Sequence, residues 1–166
     1  MKVMTKVGVG DDILNPALWT VRNLVHNNMG NKGIVGGLGG VESLIKVIGK
    51  TFQGKKFPLV ESALTTLVNL VVDHEKNCRR LLKEGLEVLI EVAEAYENVP
   101  EEDLSGGGGK ETYVEGIKNN AALATSLLQM VGPYNFLVCS NCGMKQASGG
   151  NCASCGRAIS FAVDMT

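Results

Sequence analysis

Four of the five cysteines crowd into one short stretch of the sequence. Cys139-Ser140-Asn141-Cys142-Gly143 and Cys152-Ala153-Ser154-Cys155-Gly156 form two C-x-x-C-G units with nine residues between Cys142 and Cys152, while Cys78 stands alone far upstream. A two-residue spacer lets one tight turn present a pair of thiolates, and a following Gly relieves the crowding behind the second sulfur. Two such pairs supply the four soft donors that a tetrahedral Zn²⁺ takes at about 2.3 Å. Gly149-Gly150 provides the reversal between them. Cys139, Cys142, Cys152 and Cys155 are therefore the expected zinc ligands, in a closed sphere with no position left for an attacking water. The metal is expected to be structural, and zinc binding to peptides of this kind is worth roughly 10–16 kcal/mol.

Other groups offer less. His74 and Cys78 stand at i and i+4, the spacing of a nucleophile and its base on one helix. Cys78 shares an apolar stripe with Leu81 and Leu82, however, which predicts a core thiol beside a histidine that starts a helix. Glu87, Glu91 and Glu94 fall on a polar face, with Lys83 and Glu87 spaced for an i,i+4 pair. The glycines 106–109 lack the Lys-Ser/Thr that completes a nucleotide loop, so the stretch 97–110 reads as a flexible loop. No catalytic residue is expected, and the chain is not expected to be an enzyme.

The elements that must position these groups are helices. The 166 residues are 45% hydrophobic and 20% charged, enough for one modest core. Only 5% are aromatic, so that core must be aliphatic. A formal net charge of -1 gives no field to gather phosphates or an anionic bilayer. No apolar stretch approaches the roughly 20 residues of a membrane span. The first dozen residues lack the apolar core of a secretory signal, and clustered cysteines argue for metal over disulfides. An intracellular location, cytoplasmic or nuclear, is the expectation.

The sequence also repeats itself. Ala17-Leu18-Trp19-Thr20-Val21-Arg22-Asn23-Leu24-Val25 aligns with Ala63-Leu64-Thr65-Thr66-Leu67-Val68-Asn69-Leu70-Val71 at an offset of 46. Gly39 to Ile48 aligns with Glu84 to Ala93 at an offset of 45. Val41, Leu44, Ile45 and Ile48 have the i, i+3, i+4, i+7 spacing of an amphipathic helix, as do Leu86, Leu89, Ile90 and Ala93. Breaks are expected at Gly49, Gly54 and Pro58, and again at Pro100 and the glycine run. Helices are predicted over 15–27, 31–36, 40–50, 58–72, 75–83, 86–97 and 112–131, with Gly36 to Gly40 as a corner.

These blocks resemble the armadillo repeat family, whose third helix carries an Ala-Leu-Trp-x-Leu-x-Asn-Leu signature close to Ala17 to Leu24. Asn31 to Val35 followed by Gly39-Gly40-Val41 resembles that family's short first helix and its glycine corner. The resemblance implies an isolated third helix followed by two repeats, 31–72 and 75–131, in an all-α, armadillo-like right-handed solenoid. It further implies that Trp19, Asn23 and Asn69 line a concave groove in which the Asn amides clamp an extended peptide, with Arg22 beside them for an acidic partner. Thr65 and Leu123 stand at the later Trp positions, and Leu127 replaces the third Asn. The helical wheel agrees independently that Trp19 and Asn23 lie away from Leu18, Val21 and Val25. The cysteine pairs resemble zinc-ribbon and knuckle modules. They are also similar to half of a MYND finger, without its remaining ligands, and they lack the cross-braced second site of a RING finger.

The expected organisation is thus a helical repeat domain over 1–135 and a four-cysteine zinc finger over 136–166, with Phe136, Leu137 and Ile159 docking the finger as a cap on helix 112–131. The expected function is non-catalytic binding of a protein or peptide partner, with self-association through open repeat ends as a further option. The alternative gives the finger its own ligand. Lys145 and Arg157 would touch nucleic acid, against which the neutral charge argues. Ubiquitin is the other candidate, although Leu137 and Val138 stand where the ubiquitin-binding nucleoporin-type finger has a Trp.

Overall fold

The computed structural model describes residues 11–95, 98, 110–131, 137–138 and 145–146. Seven helices are found among them: α1 Asp11–Val25, α2 Met29–Gly37, α3 Gly40–Gln53, α4 Phe57–Val71, α5 Glu75–Glu84, α6 Leu86–Glu94 and α7 Lys110–Val131. Two short strands follow, β1 Leu137–Val138 and β2 Lys145–Gln146, paired antiparallel. The described chain is thus almost wholly helical, as its periodicity predicts. No helix is long and apolar enough to cross a membrane among the described residues.

α4 sits in the middle. It packs against α1 on one side and α7 on the other, so the three long helices form one layer. α3 packs on α4, α6 packs on α7, and α3 and α6 touch each other, which makes a second layer. The short helices α2 and α5 also touch each other and close one end of the layers. Between the layers lies the core, with Leu18, Leu44, Ile48, Leu64, Leu67, Leu70, Leu81, Leu89 and Leu127 fully buried. Each such leucine contributes about 2 kcal/mol of burial. With so few aromatic rings the interior is aliphatic; Phe57 joins Phe52 and Tyr113 in edge-on contacts near the start of α4.

Several boundaries depart from the periodicity, two of them for a packing reason. α1 starts at Asp11 and runs through Pro16, because Leu14 buries its side chain and draws one more turn into the helix. Gly49 does not break α3, which continues to Gln53; a Cβ at Gly49 would stand 3.9 Å from Val88 on α6, an ordinary contact. Thr51, buried within that extra turn, returns its hydroxyl to the Val47 carbonyl at 2.7 Å. α6 ends at Glu94, and Lys83 and Glu87 lie on different helices because Gly85 separates α5 from α6. Helical spacing therefore does not hold between those two, and Lys83 meets Glu84 at 3.8 Å instead.

The glycine corner is shorter than expected: Gly36 and Gly37 stay in α2 and Gly40 opens α3, so the chain turns at Leu38-Gly39. Gly39 has φ +79, a left-handed conformation that side chains resist, and a Cβ on Gly40 would come within 2.6 Å of Val35. The corner at Gly85 is equally tight, with Leu81 and Ile45 within 2.8 Å of where its Cβ would be.

Candidate peptide-binding surface

The repeat extends into the hydrogen bonds at the helix ends. Asn27 and Asp73, 46 residues apart, both take left-handed φ values, 49 and 57, just after α1 and α4. Short polar side chains tolerate that conformation best. The next residues, Asn28 and His74, cap α2 and α5: Asn28 Oδ1 accepts from the Asn31 amide at 3.0 Å, and His74 Nδ1 accepts from the Asn77 amide at 3.3 Å. Asn31 then donates its side chain to the Leu24 carbonyl at 2.7 Å, and Asn77 donates to the Leu70 carbonyl at 3.0 Å. The sequences here share little beyond Asn31 and Asn77, so residue identity concealed a repeat that the hydrogen bonds reveal.

Around the end of α4 these bonds form a clasp. Asn77 Nδ2 also donates to the Lys32 carbonyl at 3.0 Å, and Arg80 donates to Asn77 Oδ1 at 3.0 Å. Lys32, nearly fully buried, donates from Nζ to the Val72 carbonyl at 2.6 Å. A cation at a helix C-terminus opposes the negative end of the helix dipole, which offsets part of its desolvation. Cys78 Sγ donates to the Val71 carbonyl at 3.1 Å, and burial pushes its thiol pKa up to about 11. A protonated, enclosed sulfur is no nucleophile at neutral pH. His74 is occupied as a cap, so the structure does not bring the two together as a pair.

The proposed groove residues on α1 emerge away from its buried Leu14 and Leu18. Trp19 is 65% exposed, and Arg22 and Asn23 are exposed on the same helix. Asn69, half-buried on α4, is differently placed: its Nδ2 donates to the Thr65 carbonyl at 2.9 Å. Its Oδ1 therefore accepts from His26 Nδ1, at 2.9 Å, and His26 Nε2 accepts from Asn27 Nδ2 at 3.2 Å. The Asn69 amide is engaged at both ends, whereas no hydrogen bond is found for the Asn23 side chain among the described residues.

On α7 the equivalent rung falls one residue before the expected one. Leu127 is fully buried and so occupies the place of Leu70, while Ser126 is exposed and returns its hydroxyl to the Ala122 carbonyl at 2.9 Å, as Asn69 does to Thr65. The outward rows are Trp19, Thr65, Ala122 and Asn23, Asn69, Ser126. Burial decides this register; the apolar pattern of α7, rich in small residues, left it open.

No family model, curated protein or solved structure matches this chain. Function must therefore be argued from the site itself. The four clustered cysteines lie outside the described residues, and among the described ones no three His, Cys, Asp or Glu side chains converge to hold a metal. The paired strands β1 and β2 flank the Cys139 to Cys142 unit in sequence. The expected cap of Phe136, Leu137 and Ile159 falls on residues whose side chains or placement are not described, as does the expected loop over 97–110 apart from Asn98 and Lys110.

A cleft of about 730 Å³ opens at the other end of α4, lined by Lys55, Phe57, Pro58, Glu61, Tyr113 and Asn119 among others. Lys55 stands over the Tyr113 ring at 5.5 Å. No residue of this cleft belongs to a functional motif in the sequence.

Proposed function

We propose that this chain is an armadillo-like stack of helices with a four-cysteine zinc finger, and that it acts without catalysis as a module holding a peptide or protein partner. Trp19, Asn23 and Arg22 on α1 make the primary contacts, and the row continues across Asn69 on α4. The observation that carries the reading is the indole of Trp19, most of its surface in water on a helix whose core stripe is already complete. A large exposed aromatic beside an unengaged amide has the chemistry of a recognition anchor: an apolar slot plus a donor and an acceptor for peptide backbone. The layer of α1, α4 and α7, with equivalent residues facing outward on each, supports the solenoid.

Asn69 contributes differently from Asn23. With one amide N–H tied to Thr65 and its oxygen to His26, it offers a peptide only its second N–H and a remaining lone pair, so α1 dominates recognition. The four thiolates fit Zn²⁺ by their donor chemistry, and when bound the metal would tie the two C-x-x-C-G units together. Selection from a random peptide display library tests the binding reading. Sequences that bind the intact chain are expected to lose at least tenfold in affinity on Trp19→Ala and several-fold on Asn23→Ala, with Asn69→Ala affecting binding less. A library that yields no binder dependent on Trp19 would refute it.

A further inference from the structure

The second copy of the repeat shows what the first copy is missing. Ile13, Ala17, Thr20 and Leu24 of α1 correspond, at the offset of 46, to Leu59, Ala63, Thr66 and Leu70 of α4. On α4 all four are buried, and Thr66 Oγ1 lies 3.3 Å from the Leu18 carbonyl of α1. That face of α4 is covered by the helices before it. On α1 no helix covers the same face among the described residues: Ile13 is 57% and Leu24 52% exposed, Thr20 is exposed, and Ala17, at the edge of the face, is half-buried against the core.

At about 100° per residue these four uncharged side chains fall within a sector of about 60°, well away from the Leu14, Leu18 and Val25 stripe. Their spacing is four, three, four, the seam of a helix that packs against another helix.

We propose that this seam is a homodimer interface in which α1 pairs with α1 of a second copy, antiparallel about a two-fold axis that crosses the helix between Leu18 and Trp19. The seam is its own complement in that register. Ile13 meets Leu24 of the second copy, and Ala17 meets Thr20 of the second copy, so large residues cover the ends and small ones allow close approach at the centre. An isologous contact of this kind closes on itself. The other end of the stack favours this over head-to-tail assembly, because none of the large exposed apolar side chains among the described residues lies on α7, whose exposed residues include Glu115, Lys118, Asn119 and Gln129. Trp19 and Asn23 lie off the seam, so the inference does not rest on the peptide reading and either can fail alone.

Sedimentation equilibrium over a wide concentration range, on the full chain with its zinc, tests the proposal. The mass is expected to double as concentration rises. Ala17→Lys and Thr20→Glu are each expected to give monomers of unchanged helical circular dichroism, since Thr20 faces water in one copy and a lysine at half-buried Ala17 can run its stem out to solvent. Mixing the two variants should restore a heterodimer, because the ammonium introduced in one copy then faces the carboxylate introduced in the other. A wild-type chain that stays monomeric overturns the proposal and leaves the seam to another helical partner or another segment of this chain. Dimers that survive both substitutions, or variants that do not recombine, overturn the register.

Discussion

Cys78 illustrates how far a single side chain's role follows from its surroundings. Its place on an apolar stripe foretold a buried thiol, and the structure adds a carbonyl acceptor and a pKa raised to about 11, chiefly by burial. A raised pKa on an acid means that the fold favours the neutral form. The corresponding stability is complete below the ordinary value of 9.0 and is lost as pH climbs through about 11. Comparing wild type with Cys78→Ala, the wild type is expected to lose on the order of 2 kcal/mol more across that window, read as a steeper alkaline fall in melting temperature. The neighbouring clasp was not legible at all. Lys32 and Asn77 look like surface residues in the sequence, and only the three-dimensional return of α2 and α5 onto the end of α4 gives them buried partners.

At the level of the helix, the periodic signal did most of the work and failed where tertiary contacts outweighed it. Val41 to Ile48 and Leu86 to Ala93 announced α3 and α6 because their stripes are regular. Gly49 misled because one glycine inside a regular apolar stripe costs a helix only about 1 kcal/mol and need not end it; a Cβ there would make just an ordinary contact with Val88. The α7 rung slipped by one because Ala121, Ala122 and Ala124 give no preference between neighbouring faces.

Two glycines of α2 give a sharp contrast. A Cβ at Gly36 would lie 1.9 Å from Asn77 Oδ1, whereas one at Gly37 meets nothing within 4 Å. Gly36→Ala should therefore displace the Asn77 side chain from its carbonyls and cost about 2–3 kcal/mol. Gly37→Ala, at an exposed helical position, should be neutral or stabilise by up to about 1 kcal/mol. Denaturant unfolding of both variants checks the pair, and equal effects would show that the clasp contributes nothing.

For the molecule as a whole, sequence arithmetic was enough to divide a helical repeat from a cysteine-rich tail, since the offset of 46 and the C-x-x-C-G spacing are both one-dimensional facts. The proposed partner surface was only partly readable: exposure of Trp19 follows from the helical wheel, but the capture of Asn69 by His26 depends on how α1 ends. If the tail binds zinc as proposed, purified protein should carry about one zinc ion per chain, releasable by a thiol reagent. Cys139→Ser should lose it. If the tail also caps α7, chelation should lower the melting temperature of the helices, and an unchanged transition would separate the finger from the stack.

Lys32 carries a final implication for how the chain opens. Its ammonium rests on a carbonyl forty residues later in the chain, in a place with almost no access to solvent. If the last turn of α4 unwound by itself, that positive charge would be stranded without an acceptor. End-fraying, ordinarily the easiest motion of a helix, is thereby coupled to the undocking of α2. Amide exchange in the final turn of α4 should accordingly keep pace with exchange in α2, as though two distant stretches of chain shared one latch.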